Sequence, residues 1–384
     1  MSILWHAVNR NDFRPRERQC EFRRFDRAHI SFRFHEQVLT NCPAVRTKAI
    51  IYTYPAVLFE NILDESGRPS PGRSRTWRDS GNFFESVGNF SERALPWLRD
   101  SSGSIIYDIP SASGYRVWFD LTQVDMTPFI EDIRARMESV YRIERIGDEH
   151  ILSLLHSLGQ PSLQWDTGRN GVVDDEDLLF LTMRYGQPVS TQPFVGYLEN
   201  YVEGFMIDNF PEWISYTGRA GLTTEQQIKG YAIYCDALRT VLPHALLFAN
   251  IYEGASFRKV GGTDSAPVFA EPAESMLQQL DGVLFENWRW HWAARTGGRL
   301  APERIAAIEQ RIEWLLARGK RVILAVNLAY DEQGYQERLE AVEYALERWG
   351  CEQVRFGEFR QLYPDPAYSV VEASRERANN LCRK

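Results

Sequence analysis

From about residue 200 onward the chain alternates between short apolar runs and stretches with a three-to-four-residue hydrophobic period. Residues 204–208 (GFMID), 245–250 (ALLFAN), 281–286 (DGVLFE), 321–327 (RVILAVN) and 353–357 (QVRFG) have the length and apolar content of buried strands. Helices are predicted between them. One covers 224–241 and opens on the capping pattern Thr223-x-x-Gln226. A second covers 302–318, with Pro302 in its first turn, Ile305, Ile308, Ile312 and Leu315 on one face, and Gly319 at its end. A third carries Leu339, Val342, Leu346 and Trp349 on one face. In the first half, 29–34 (HISFRF), 48–54 (KAIIYTY) and 115–121 (YRVWFDL) read as strands, and a helix begins at Thr127 and Pro128 and runs to about Val140. Three strands and five give eight, which predicts an α/β fold of the (β/α)8 TIM-barrel type. An open doubly wound sheet is the alternative, but no GxGxxG follows any strand.

Two stretches depart from the alternation. Residues 61–110 are rich in Gly, Ser, Pro and Arg and read as a long loop over the barrel mouth. Residues 146–190 interrupt the third and fourth units. The expected organisation is an arm at 1–24, a barrel of 25–145 and 191–370, an inserted segment at 146–190 and a tail at 371–384.

Composition narrows the field of functions. With 384 residues and 44% apolar content, the chain can bury one large core or two ordinary ones, and disorder is disfavoured. A net charge of −8 argues against nucleic acid as the main partner, since a phosphate-binding surface needs excess positive charge. No apolar run reaches the length of a membrane span and no signal peptide opens the sequence as written, so the expected setting is the cytoplasm or a particle such as a virion. The five Cys are scattered, odd in number and without CxxC spacing, which predicts free thiols rather than a disulfide framework. Aromatic residues reach 13%, with 11 Trp, and suit sugar rings as well as ordinary cores.

Candidate chemistry follows from the barrel. Side chains at the C-terminal ends of barrel strands face the active-site mouth, and here those ends supply Tyr54, Asp120, Asp208, Asn250, Glu286 and Asn327. Asp208 and Glu286 each close an apolar run, where a carboxylate is costly unless it is paired, solvated or used. Each could cap a helix or join a structural ion pair. Two on alternate strands of one barrel instead suit glycoside hydrolysis, in which one carboxyl protonates the leaving oxygen and the other attacks the anomeric carbon or activates water. Tyr54, Asp120, Asn209, Asn250 and Asn327 are candidates for sugar hydroxyls, and Trp288, with Trp290 and Trp292, for stacking on sugar faces. No cofactor is expected for the chemistry. The rival is a non-catalytic carbohydrate-binding or structural barrel of a surface or particle assembly.

The order of several short motifs carries a resemblance. ALPWLRDSSGSII (94–106), YRVWFDLT (115–122), VEGFMIDNF (202–210), LLFANIYEG (246–254) and LDGVLFENW (280–288) resemble the barrel family called hypothetical glycosyl hydrolase 15, kin to the polygalactosaminidase-type barrels. Glu203 stands where that family has Asp, and Ile251 where a Gly often follows the Asn. The resemblance implies a TIM barrel with Asp208 as nucleophile and Glu286 as acid/base.

Within the insertion, 166–177 (DTGRNGVVDDED) is similar to a dockerin-type, EF-hand-like calcium loop. Asp166, Asn170, the Val172 carbonyl, Asp174 and Asp177 fall at ligand positions, Gly171 at the sharp turn, and Gly168 at a position that supplies no ligand. This predicts a structural Ca2+ clip outside the chemistry, against the plainer reading of an acidic turn before a helix. Arg10, Arg14, Arg16, Arg18, Arg23 and Arg24 make the N-terminal arm a candidate surface for protein assembly, with a solvated arm as the plainer reading.

Overall fold

The computed structural model describes residues 4–7, 20, 27–30, 32–42, 47–60, 96–111, 114–140, 146–162, 165–167, 170–186, 201–208, 210–251, 269–290, 298–326, 332–358 and 376–382. The strands are β1 (Leu4–Ala7), β2 (Arg27–Ile30), β3 (Lys48–Thr53), β4 (Ala56–Glu60), β5 (Tyr107–Ser111), β6 (Gly114–Trp118), β7 (Val202–Ile207), β8 (Leu246–Asn250), β9 (Gly282–Phe285), β10 (Arg321–Ala325) and β11 (Val354–Glu358). The helices are α1 (Phe32–Asn41), α2 (Thr127–Val140), α3 (Asp148–His156), α4 (Asp175–Thr182), α5 (Phe210–Arg219), α6 (Thr224–Val241), α7 (Ala273–Gln278), α8 (Pro302–Leu316) and α9 (Glu332–Trp349).

Seven strands curl into one parallel sheet in the order β2-β3-β7-β8-β9-β10-β11. The short β1 is hydrogen-bonded to both outer strands, with Leu4 opposite Phe356 and His6 opposite Ala28. The five strands expected in the second half are all present. So are the capping box between Thr223 and Gln226 and the stop at Gly319, whose φ of +72° lies in the left-handed region that favours glycine.

The first half differs from expectation. Residues 115–121 do not supply a third barrel strand. They contain β6, which pairs antiparallel with β4 and β5 in a separate sheet. Only residues 54–55 separate β3 from β4, and 112–113 separate β5 from β6. Connections that short cannot make a parallel crossover, which needs a dozen residues or more. The eighth place in the parallel sheet is taken by β1, from the stretch expected as an arm. The strand expected at 29–34 stops at Ile30, and α1 starts at Phe32. A regular eight-fold alternation of strand and helix is therefore not what the described residues show: α2, α3, α4 and the second sheet all lie between β3 and β7. The expected loop at 61–110 is corrected for its last part, where Trp97, Leu98 and Ile106 are buried and β5 forms; residues 61–95 lie outside the described residues. The insertion has its own small core of Ile146, Leu154, Trp165, Val173 and Leu181. No helix among the described residues is long and apolar enough to cross a membrane.

Alternation along the strands builds two cores. Ala49, Ile51, Phe205, Ile207, Leu247, Ala249, Val283, Phe285, Val322 and Leu324 belong to the large core shared with the helices. Their neighbours Ile50, Met206, Phe248, Leu284 and Ile323 form a separate cluster, the plug inside the curled sheet. Room for that plug depends on Gly282, where a Cβ would lie 2.7 Å from the Phe248 ring and 2.5 Å from the Arg321 carbonyl oxygen.

The free-thiol expectation is also corrected. Cys20 is bonded to Cys42 and Cys351 to Cys382, with Cα separations of 5.2 and 5.7 Å, while Cys235 is a buried free thiol. Partners 22 and 31 residues apart leave no spacing motif; only the fold brings them together. Alkylation of the denatured, unreduced protein should therefore modify one cysteine, Cys235, and reduction should lower the melting temperature, each bridge contributing about 2–4 kcal/mol. Five reactive thiols before reduction would contradict this pairing.

Candidate active site

Because side chains alternate along a strand, the layer above the plug is set two residues farther along each chain segment. From Ile50, Met206, Phe248 and Leu284 this step leads to Tyr52, Asp208, Asn250 and Glu286, at the C-terminal ends of four consecutive strands. The register puts them on the inward face: Tyr52 is opposite Met206, and Asn250 opposite Leu284, both members of the plug.

These four side chains meet. The Asn250 amide, through Nδ2, donates to Asp208 Oδ1 at 2.9 Å and to Glu286 Oε2 at 3.2 Å. The two acceptor oxygens can thus be no farther apart than those two lengths laid end to end. Tyr52 Oη donates to the other Asp208 oxygen, Oδ2, at 2.6 Å. Burial first, and then the negative charge of Asp208, push the Tyr52 phenol well above its ordinary value, so it stays a donor. Burial, followed by the charge of Asp208, raises the Glu286 carboxyl from 4.5 to about 7; the Asn250 hydrogen bond pulls the other way and Glu212 of α5 adds to the rise.

The second sheet stands on the mouth side, since β4 leaves directly from the end of β3. Its Asp108 and Arg116 are cross-strand partners and form an ion pair at 2.5 Å. The Arg116 guanidinium lies 5.3 Å from the Trp118 ring centroid, and Trp118 stacks on Tyr216 of α5. Arg116 is near enough to Tyr52 and Glu212 to be felt electrostatically.

Of the residues expected to touch substrate, Asn250 is in the site, but as the link between the carboxylates. Tyr54 is buried, with its ring edge-on to Tyr52 at 5.5 Å. Asp120 is corrected: it is on the second sheet's side of the chain, and its oxygens accept from Thr122 N, Thr122 Oγ1 and Gln123 Nε2, holding the turn after β6. Trp288 is corrected too. It is fully buried, with its ring 6.0 Å from Trp349 of α9 and Arg289 over it, so it is core rather than a stacking platform. Asn209, Trp292 and Asn327 lie outside the described residues. Tyr52 is the residue that reading strand ends missed; the alternation through Ile50 was the signal for it.

The 166–177 loop is ordered by hydrogen bonds of its own. Gly171 has the φ of +96° that its turn position calls for. Asp166, however, accepts from the backbone N–H groups of Asn170 and Gly171. Asp174 caps α4 at Glu176 N and accepts from the Asn170 side chain. The buried Asp177 accepts from Thr167 N, Thr167 Oγ1 and Asp174 N. Val172 is half exposed, and its N–H donates to Asn170 Oδ1. Among the described residues no group of three or more His, Cys, Asp or Glu is placed to hold a metal ion. Asp166, Asp174 and Asp177 thus order the turn and the start of α4. Glu203 serves the opposite end of the sheet, where it is paired with Arg27.

No family model matches the sequence, and no curated protein matches it. Among solved structures, the glycoside hydrolase domain of PelA from Pseudomonas aeruginosa aligns over 94% of this chain and 95% of that one, at 11% identity and a TM-score of 0.42. A variant of the same domain aligns over the same shares at 11% identity and a TM-score of 0.40. The family 44 endoglucanase Cel44A from Clostridium thermocellum aligns over 56% of this chain and 52% of that one, at 15% identity and a TM-score of 0.27.

The raised Glu286 carboxyl has a consequence for stability. The folded state binds this proton more tightly than the unfolded chain, so its contribution is complete below about 4.5 and is lost as pH rises through about 7. The loss amounts to about 3 kcal/mol at alkaline pH. Glu286→Gln should therefore gain melting temperature over wild type at pH 8 relative to pH 4.5. An equal difference at both pH values would show that Glu286 titrates normally.

Proposed function

We propose that this protein is a retaining glycoside hydrolase of the (β/α)8 barrel type, with Asp208 as nucleophile and Glu286 as acid/base. The observation that carries the reading is the Asn250 amide, which bonds both carboxyl groups at once and so holds them across one narrow gap. Retaining enzymes separate the two groups by about 5–5.5 Å, whereas inverting enzymes leave about 6.5–9.5 Å for a water. The close approach of the two nearest oxygens favours the first class. The surroundings of the two groups support the division of labour. Glu286, raised to about 7, can carry a proton to give near neutral pH, while Asp208 receives one donor on each oxygen, from Tyr52 and Asn250.

In the first step an Asp208 oxygen forms a bond to the anomeric carbon. The glycosidic bond breaks, and its oxygen takes the Glu286 proton together with the bonding electrons. In the second step Glu286 takes a proton from water, the water oxygen attacks the same carbon, and the electron pair of the ester bond returns to Asp208. The substrate is a poly- or oligosaccharide. The described residues of the site are two carboxyl groups, an amide and a phenol, groups of the kind that hydrogen-bond sugar hydroxyls.

The test is a panel of 2,4-dinitrophenyl glycosides and polysaccharides, with the anomeric configuration of the first product read by NMR. Cleavage with retention is expected. Asp208→Asn and Glu286→Gln should each lower turnover by about 10²–10⁴-fold without loss of fold. The decline of wild-type kcat/KM above about pH 7 should be absent in Glu286→Gln. Inverted product, or a variant keeping more than about a tenth of wild-type turnover, would remove the assignment.

A further inference from the structure

We propose that Tyr52 is a positioning residue whose phenol O–H, hydrogen-bonded to Asp208, assists the second step, departure of Asp208 from the sugar. This rests on the reading of Asp208 and Glu286 as nucleophile and acid/base.

The placement is specific. Tyr52 is on β3, the strand beside β7, and belongs to the inward layer two residues above Ile50. Its Oη is 2.6 Å from Asp208 Oδ2, while Asn250 takes Oδ1 at 2.9 Å, so the two carboxylate oxygens are held by donors from strands on either side. The Tyr54 ring, edge-on at 5.5 Å, confines the Tyr52 ring. Thr53, between them, points to the opposite face and hydrogen-bonds Tyr234 of α6, which fixes the strand that carries Tyr52.

The charge on Asp208 changes through the cycle. It is negative before attack, neutral as the glycosyl ester, and negative again as the ester bond breaks. A hydrogen bond to a charged oxygen is roughly twice as strong as one to a neutral oxygen. The Tyr52 O–H therefore stabilises Asp208 more as a leaving carboxylate than as an ester, and lowers the barrier to the second step. It works slightly against the first step for the same reason. The Asn250 amide cannot replace it, because that amide is shared with Glu286. The bonds exchanged in the step are those written above: water gives a proton to Glu286 and its oxygen to the sugar, and the ester electron pair returns to Asp208, with Tyr52 keeping its own proton.

The experiment uses Tyr52→Phe with whichever 2,4-dinitrophenyl glycoside of the panel the wild type cleaves. That leaving group needs little help, so the second step limits turnover. Turnover should fall roughly 10- to 100-fold, in line with loss of one preorganised donor. KM should fall in parallel, kcat/KM should change less than about threefold, and a covalent glycosyl adduct on Asp208 should accumulate in mass spectra of the quenched reaction. Equal losses in kcat and kcat/KM without adduct would overturn the proposal, because a merely structural role lowers both together. Unchanged kinetics would overturn it as well. If Tyr52→Phe does not fold, 3-fluorotyrosine at position 52 keeps the shape and donates more strongly; kcat should rise, and a kcat that falls or holds overturns the idea. Failure of the underlying pair is seen separately, in wild type alone, as inverted product or as turnover surviving Asp208→Asn.

Discussion

Two carboxyl groups sharing one amide inside a curled sheet is the constraint on which the rest of this molecule depends. Neighbouring carboxylates repel, and burial makes each negative charge costly. The structure meets that cost locally. Asn250 bonds both groups, Tyr52 bonds the far side of Asp208, and Glu286 takes up a proton near neutrality. Each of these depends on strand register, since a slip of one residue would turn Tyr52, Asp208, Asn250 and Glu286 toward the helices. The register is anchored by the plug of Ile50, Met206, Phe248, Leu284 and Ile323 directly beneath them, and by the space that Gly282 leaves for the Phe248 ring.

The rest of the chain supports this arrangement from outside. The antiparallel sheet continues from β3 and brings the Asp108–Arg116 pair to the mouth, tied to α5 through Trp118 and Tyr216. That helix, which follows β7, is held in turn by α6, whose Tyr231 packs on Phe210 and Trp213. The two disulfides lie elsewhere: one joins Cys20 to the residue just after α1, and the other joins the turn before β11 to the residue just after the helical turn at 376–381. They secure the first and last parts of the chain, the same parts that β1 and β11 bring side by side in the sheet.

Reading strand ends found Asp208, Asn250 and Glu286 because a carboxylate or amide after an apolar run is a strong local signal. It misjudged Trp288 and Asp120 for two physical reasons. Trp288 is one turn beyond its strand, where the chain has left the inward alternation and the ring meets Trp349 of a helix more than fifty residues later. Asp120 follows a strand that belongs to the other sheet, and its oxygens are taken by Thr122 and Gln123. The loop at 166–177 has the residue order of a cation site, and Asp166, Asp174 and Asp177 also accept N–H donors of their own turn, contacts that residue order does not reveal.

The sequence by itself determined the local elements of the second half, the caps at Thr223 and Gly319, and the acidic residues at the strand ends. These depend on periodicity and on neighbours within a few residues, which the chain carries in its order. Only the tertiary structure decided which strands share a sheet, which cysteines pair, and that Tyr52 and Asn250 hold Asp208. Those facts depend on contacts between residues far apart in the chain, 22 positions for Cys20 and Cys42, 156 for Tyr52 and Asp208 and more still for β1 beside β11, where burial and strand pairing choose the partners and no local pattern records the choice.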